Sequence, residues 1–152
     1  RVVMAGLPAD TERLALAASL GCDTTAASAG EIEAALEAMG EKGFTLSFEC
    51  AAAAASLANC IRYSAKHASV VQVGLYGKNV PVDLDGALYK ELRLLTSFGS
   101  NPSSWRRMLG MIGGIDLKPF LTHVLPLSEW EQAFRDIESG KYFKVLMNVD
   151  TE

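Results

Sequence analysis

The residues of this chain that could do chemistry are few and widely spaced. Three cysteines and two histidines are the candidate nucleophiles and metal ligands: Cys22, Cys50, Cys60, His67 and His123. An odd number of cysteines without metal-ligand spacing favours neither a disulfide framework nor a zinc knuckle, and we interpret them as small core residues. His123 has no candidate nucleophile nearby, so we expect it to be structural. We predict no catalytic residue and no metal ligand in this chain.

The charged residues exclude further classes of function. Glu49 ends a predicted strand without an evident partner, and Asp83 with Asp85 is typical of a solvated loop. Trp105 stands beside two arginines, but helix packing explains it better than stacking on a base. The net charge is −4 and the 14 Lys and Arg are scattered, so we expect no nucleic-acid partner.

Length and composition favour one soluble globular domain. The 152 residues are 49% hydrophobic and 21% charged, enough for a substantial core. Because we find neither a membrane-length apolar stretch nor a signal-peptide pattern, we expect a cytoplasmic protein without a membrane partner. The chain opens directly on an apolar strand without an initiator methionine, so we interpret it as part of something longer.

Strands and helices alternate through the first two thirds of the chain. Apolar runs bounded by glycine or proline predict strands, and apolar residues spaced three and four apart predict helices. The predicted strands are 2–5, 44–50, 70–74 and 92–98, with a weak strand or loop at 22–28; the predicted helices run from 10 or 11 to Gly21, 31–39, 51–66 and 85–90. This alternation is typical of a parallel sheet with helices on both faces.

The last third predicts a short α+β segment. A helix over 103–111 precedes a strand over 122–125, and the Ser128–Glu131 capping box opens a helix that Gly140 ends. A closing strand follows at 144–149.

Six segments, in order and spacing, carry a pattern shared with a known family. They are Arg13-Leu14 to Leu20-Gly21-Cys22-Asp23, Phe48-Glu49-Cys50-Ala51, Val70 to Gly77, Lys90-Glu91-Leu92 to Ser97-Phe98-Gly99-Ser100, Ile115 to Pro119 with Thr122-His123, and Ala133-Phe134 to Ser139-Gly140-Lys141 with Lys144-Val145. Together they resemble the coenzyme domain of zinc-type medium-chain alcohol and polyol dehydrogenases.

The resemblance implies an incomplete Rossmann-type parallel sheet of order 3-2-1-4-5-6, with residues 1–5 as its second strand. The family's first strand and glycine-rich loop would lie upstream, and G-x-G-x-x-G occurs nowhere in these 152 residues. We expect a partial dinucleotide-binding domain over 1–98 and a segment over 99–152 that packs on it and on an absent catalytic domain. A missing central strand leaves two unpaired edges, so we expect the chain alone to be unstable or aggregation-prone unless another polypeptide, a rearranged sheet or a domain swap fills the gap.

The resemblance places cofactor contacts at the strand ends and at two basic positions. The residues are Gly6, Arg13, Cys50, Ala51, Val73, Gly74, Leu75, Ser97, Phe98 and Lys144. Residues 73–75 and 97–98 would contact the nicotinamide amide and ribose, whereas Cys50, as a buried inert thiol, and Ala51 would supply backbone and shape. Arg13 would lie near the adenosine ribose and Lys144 near the phosphates.

Gly6 stands where the family usually has an acidic residue for the adenosine ribose. The absence of that carboxylate removes one reason to prefer NAD over NADP, unless Asp10 binds the ribose instead. Two other departures lie near the cofactor edge. Ala52 and Ala54 replace a glycine and a proline, and Lys66-His67-Ala68 replaces a Pro-Gly-Gly turn.

The function implied is the coenzyme-binding portion of an enzyme that transfers hydride between NAD or NADP and a small alcohol or polyol. Zinc would be held only by the absent domain. Two alternatives stay open: a zinc-free quinone or enoyl reductase, and a truncated, non-catalytic dimerisation module, because residues 92–98 resemble the strand by which these proteins extend their sheets. We expect a homodimer or higher homo-oligomer.

Overall fold

The computed structural model describes residues 1–121 and 123–149, and in it strands and helices alternate as predicted. The elements are β1 (Val3–Ala5), α1 (Thr11–Ser19), β2 (Thr24–Ala26), α2 (Ala29–Met39), β3 (Phe44–Glu49), α3 (Ala54–Tyr63), β4 (Ser64–Gln72), α4 (Leu84–Tyr89), β5 (Arg93–Thr96), α5 (Pro102–Ile112), β6 (His123–Pro126), α6 (Trp130–Glu138) and β7 (Val145–Asn148), with 3-10 turns at Lys118–Phe120 and Leu127–Glu129.

The described strands form three sheets. β1 pairs with β2, β4 lies between β3 and β5 in a parallel sheet, and β6 pairs in parallel with β7. The strands predicted to flank a missing central strand, β1 and β3, thus belong to separate sheets. The residues group into two compact units, one of 1–4, 9–25 and the described part of 102–152, and one of 5–8 and 26–101. The domain division at residue 98 stays a prediction.

The second unit holds the core that supports the three-stranded sheet. Leu57 and Ile61 of α3 pack with Val70 of β4 and Ala87 of α4, and all four are buried. Cys60, Tyr76 and Leu92 are partly buried against this cluster. Each fully buried aliphatic side chain of this size stabilises the fold by roughly 1.5–3 kcal/mol. The core therefore fixes α3 and α4 against β4.

The helix predicted to reach Lys66 ends three residues earlier, at Tyr63, and β4 begins at once. Lys90, which follows this corner by 26 or more residues in the sequence, satisfies the carbonyl groups at the end of the helix. Lys90 Nζ donates to three carbonyl oxygens at this corner, at 3.0, 2.5 and 3.0 Å: those of Ile61, Arg62 and Ser64. A cation at a helix C-terminus satisfies carbonyls that have no partner within the helix.

A capping box that was not predicted from the sequence forms at α2, and the one predicted at α6 does not form. At α2 the box forms, because Ser28 Oγ accepts from the Glu31 N–H at 3.3 Å, and Gly40 ends the helix with φ 68°. At α6 the box predicted from Ser128 is wrong. The 3-10 turn Leu127–Glu129 comes first, and α6, which is described in full, has no side-chain cap.

Candidate functional site

Three parallel strands end side by side in the second unit. Glu49, Gln72 and Thr96, the last residues of β3, β4 and β5, are register partners. The pairing continues past the strands, since the Val73 N–H donates to the Glu49 carbonyl at 2.9 Å and the Ser97 N–H to the Gln72 carbonyl at 3.0 Å. Most of the predicted cofactor residues therefore meet at one sheet edge: Cys50, Ala51, Val73, Gly74, Leu75, Ser97 and Phe98.

Large apolar side chains at this edge face solvent. Val73 is 42% exposed, Leu75 73% and Phe98 85%. The carboxyl edge of a parallel sheet is where open α/β folds bind ligands. Exposed apolar groups at such an edge are suited to contact a flat, partly apolar ring.

Cys50 is exposed, so the prediction that it is a buried thiol is wrong. Successive side chains at a strand end point to opposite sides, and Glu49 takes the inward position. Cys22 and Cys60 are the partly buried thiols. The pKa of Cys60 is raised to about 11 by burial and, to a smaller extent, by the negative charge of Glu49. Cys60 therefore stays protonated and inert at neutral pH.

Glu49 is the residue at this edge whose role the sequence did not reveal. Its side chain is fully buried, and its two carboxylate oxygens accept from the segment after its own strand and from the end of the neighbouring strand β4. Its Oε1 accepts from the Ala51 N–H at 3.0 Å, and its Oε2 accepts from Gln72 Nε2 at 2.7 Å. Burial acts to raise the pKa of Glu49, but hydrogen bonds from Ser56, Gln72, Ala51 and Tyr76 outweigh it and hold the pKa below its usual value.

Gln72 carries the network from Glu49 to the next segment. Its Nε2 also donates to the Gly74 carbonyl at 2.7 Å, and its Oε1 accepts from the Tyr76 hydroxyl at 3.0 Å. Both amide hydrogens and the amide oxygen of Gln72 are thus occupied. The carboxylate and the amide together connect residues 51 and 74, which were each predicted to contact the cofactor.

The backbones of these two segments approach so closely that one position requires glycine. A Cβ on Gly74 would lie 2.6 Å from the Ala52 nitrogen and 2.8 Å from Glu49 Oε2. Ala52 itself has φ 54°, a left-handed conformation that favours glycine. His67 has φ 62°. Both replacements noted from the family pattern therefore include a residue with left-handed backbone, where the family's glycine is the unstrained choice.

Gly6 lies at the end of β1. Its N–H donates to the Ala26 carbonyl at 2.9 Å, which ties the end of β1 to the end of β2. Asp10, the alternative acidic residue for the adenosine ribose, is the N-cap residue of α1.

The two basic positions, Arg13 and Lys144, belong to the first unit. Arg13 Nη2 donates to the carbonyls of Gly140 and Tyr142 at 3.3 and 3.4 Å, and its guanidinium lies 5.1 Å from the centre of the Phe143 ring. The structure therefore brings Arg13 to the segment directly before Lys144. It shows Arg13 supporting this segment through main-chain carbonyls.

His123 has a partner 13 residues away that the sequence did not suggest. Its Nε2 lies 2.6 Å from Asp136 Oδ2, and its ring stacks on Tyr142 with centroids 3.8 Å apart. Gln132 Nε2 donates to the other carboxylate oxygen of Asp136 at 2.7 Å. The hydrogen bond with His123 lowers the pKa of Asp136. These contacts join β6 to α6, in agreement with a structural role; Thr122, the other member of the predicted pair, lies outside the described residues.

The described residues do not fit a metal centre. Across 1–121 and 123–149, no group of three or more His, Cys, Asp or Glu side chains is arranged to hold a metal ion. No step is therefore assigned to zinc in this chain.

None of the described helices has the length and apolar character to cross a membrane.

Comparison with known proteins agrees with this geometry. The family model described as zinc-binding dehydrogenase matches residues 2–113. The chain is 28% identical to the D-arabitol-phosphate dehydrogenase of Enterococcus avium, covering 99% of this chain and 44% of that protein. It is also 28% identical to the sorbitol dehydrogenase of Halalkalibacterium halodurans, covering 96% of this chain and 44% of that protein. The chain thus spans less than half the length of these curated relatives.

A solved structure supports the α/β fold. The short chain alcohol dehydrogenase of Escherichia coli, crystallised as a complex with NADH, superposes with a TM-score of 0.80 at 20% identity. The match covers 97% of this chain and 44% of that one. The fold of the chain is therefore that of a Rossmann-type dehydrogenase domain.

Proposed function

We propose that this chain, which belongs to the zinc-binding dehydrogenase family, binds and orients the nicotinamide half of NAD or NADP in an enzyme that oxidises a small alcohol or polyol. The dinucleotide supplies the hydride chemistry when bound. The residues of this chain hold the ring and exclude water from one of its faces. The polyol substrate class rests on the similarity to a D-arabitol-phosphate dehydrogenase and a sorbitol dehydrogenase and on the sequence resemblance.

The observation that carries the proposal is the meeting of three strand ends. Backbone groups of 50–51, 73–75 and 97–98 follow register partners of one parallel sheet, and Leu75 and Phe98 expose apolar surface there. The main-chain groups suit the carboxamide and the ribose, and the apolar side chains suit the ring. Zinc, which the family name implies, would be held by residues outside this chain.

The choice between NAD and NADP depends on Gly6 in this proposal. A carboxylate at the end of this strand would accept hydrogen bonds from the ribose hydroxyls and repel a 2′-phosphate. Gly6 removes that repulsion, so we propose that the protein accepts NADPH as well as NADH. A Gly6→Asp variant is expected to weaken NADPH binding more than NADH binding.

The decisive experiment is a titration of the full-length protein with NADH and with NADPH, in which the fluorescence of the dinucleotide measures binding. Leu75→Asp places a carboxylate at the predicted ring site on a side chain that is 73% exposed, so the fold is expected to tolerate it. We expect a Kd about tenfold higher. Leu88→Asp is the matched control, since Leu88 is 69% exposed on α4 and lies outside the predicted cofactor residues. Equal affinity of the two variants, or no binding by the parent protein, would contradict the proposal.

We further propose a homodimer that forms through β5. This strand is an edge of the three-stranded sheet, and its four residues are all exposed. Light scattering of the full-length protein is expected to give twice the mass of one chain, and a monomer would overturn the proposal.

A further inference from the structure

We infer that Glu49 is a positioning residue for the nicotinamide half of the dinucleotide, acting through the orientation of the Gln72 amide. This inference rests on the proposed function. Glu49 touches no predicted ligand atom, because it is fully buried beneath the strand ends. Its effect reaches the cofactor through residues 51 and 74.

The directions of the three hydrogen bonds of the Gln72 amide follow from one acceptor, the Glu49 carboxylate. An ionised carboxylate can only accept, so the amide group facing Glu49 Oε2 must be the nitrogen of Gln72. That orientation presents the second amide hydrogen to the Gly74 carbonyl at 2.7 Å. It also turns the amide oxygen toward the Tyr76 hydroxyl, at 3.0 Å. The charge of Glu49 thus determines the position of the Gly74 carbonyl.

A neutral amide at position 49 would break this order. In Glu49→Gln the Ala51 N–H still needs an acceptor, so the new amide oxygen faces residue 51 and the new NH2 faces Gln72. Two donors then meet unless the Gln72 amide turns over. Once turned, it presents its oxygen to the Gly74 carbonyl, and two acceptors meet instead. The segment 73–75 must shift to relieve that contact.

The consequence is specific to one half of the ligand. Residues 73–75 are predicted to contact the nicotinamide amide and ribose, whereas they have no predicted contact with the adenosine half. A change at Glu49 should therefore weaken NADH binding and leave ADP-ribose binding unchanged. A merely structural role would weaken both ligands together, because loss of the fold removes both halves of the site.

The test compares NADH and ADP-ribose on the full-length protein by isothermal titration calorimetry. For Glu49→Gln we expect the Kd for NADH to rise about tenfold and the Kd for ADP-ribose to stay within about twofold. Glu33→Gln is the matched control. The Glu33 carboxylate accepts from Arg62 and Tyr63 in the same unit but outside the predicted site. We expect this control to leave both constants unchanged.

Tyr76→Phe provides a milder second variant in case Glu49→Gln does not fold. It keeps the ring that packs on the core and removes the hydroxyl, which donates to Gln72 Oε1 and also interacts with the Glu49 carboxylate. We expect a rise of about threefold in the Kd for NADH alone. Parallel weakening of both ligands, or no change in the NADH constant for a folded variant, overturns the inference while the parent protein still binds NADH. A parent protein that binds neither ligand overturns the proposed function and this inference with it.

Discussion

The core of the second unit, under its three-stranded sheet, and the helix α5 of the first unit differ in how far their apolar residues are buried. In this core, Ile61 and Val70 are only 2% and 1% exposed, and the buried carboxylate of Glu49 at the adjoining strand end has hydrogen-bond partners at both oxygens. In α5, all of whose residues are described, no side chain is buried. Trp105 and Leu109 remain 53% and 62% exposed.

The difference separates what an amphipathic pattern determines from what it leaves open. Apolar spacing predicts that α5 is a helix and which of its sides needs cover. It does not identify the covering element. In the second unit, by contrast, the helices α3 and α4 that cover β4 belong to the same unit as the sheet, and together they form the buried cluster of Leu57, Ile61, Val70 and Ala87.

The largest effect expected is on the core of the second unit. Ile61→Ala removes a buried side chain from the cluster with Leu57, Val70 and Ala87, and the cavity left behind should cost about 3 kcal/mol of unfolding free energy. Leu109→Ala in α5 should change it by less than about 0.5 kcal/mol. Urea denaturation of the two variants gives both values. Similar losses would mean that α5 packs more tightly than its exposure indicates.

Replacing a glycine by alanine should change the stability of the protein in opposite directions in the two regions. Gly74→Ala places a Cβ 2.6 Å from the Ala52 nitrogen, a backbone atom that cannot easily move aside, and should destabilise the protein by about 2 kcal/mol. Gly110→Ala in α5 meets nothing within 4 Å and should stabilise by up to about 1 kcal/mol through helix propensity. The sign difference is measurable as opposite shifts in Tm. Two shifts of the same sign would break the comparison.

Much of this fold follows from local sequence patterns. Apolar runs predict β3 and β5 to within two residues. The apolar face over 31–39 with Gly40 as stop signal predicts α2, which begins two residues earlier, at Ala29. The end of α3 does not follow from such patterns, because Lys90 determines it from 26 or more positions away. Contacts between segments distant in sequence carry no local signal.

The candidate site divides in the same way. The positions of 50–51, 73–75 and 97–98 follow from the strand ends, and the structure brings them together. In the sequence Glu49 has no evident partner, because Gln72 reaches it only once β3 and β4 are in register. The exposure of Cys50 depends on which of two adjacent side chains turns inward, and a strand-end pattern does not determine that choice.

The strained backbone of Ala52, at the edge of the three-stranded sheet, allows a test with a smaller expected effect. Ala52 has φ 54°, and a left-handed alanine costs roughly 1 kcal/mol relative to glycine. Ala52→Gly should therefore stabilise the protein by up to about 1 kcal/mol, less the entropy that glycine adds to the unfolded chain. Ala58→Gly, within the helix α3, is the control and should destabilise by a similar amount. Thermal unfolding of the two variants distinguishes strain at position 52 from a general effect of glycine.

The smallest effect is expected at the His123–Asp136 pair of the first unit. The hydrogen bond from His123 comes first among the interactions that lower the pKa of Asp136 in the folded state. A group with a lowered pKa contributes stability that is fully present above its unfolded pKa and is lost as the pH falls through its folded pKa. NMR titration of the Asp136 carboxyl carbon should therefore give a midpoint below the usual aspartate value, and His123→Phe, which keeps a ring against Tyr142, should raise it. An unchanged midpoint in that variant would show that the pair contributes packing alone. Hydrogen bonds also lower the pKa of Glu49, but they belong to the buried network of the second unit. The titration midpoint of Glu49 should therefore not change in His123→Phe.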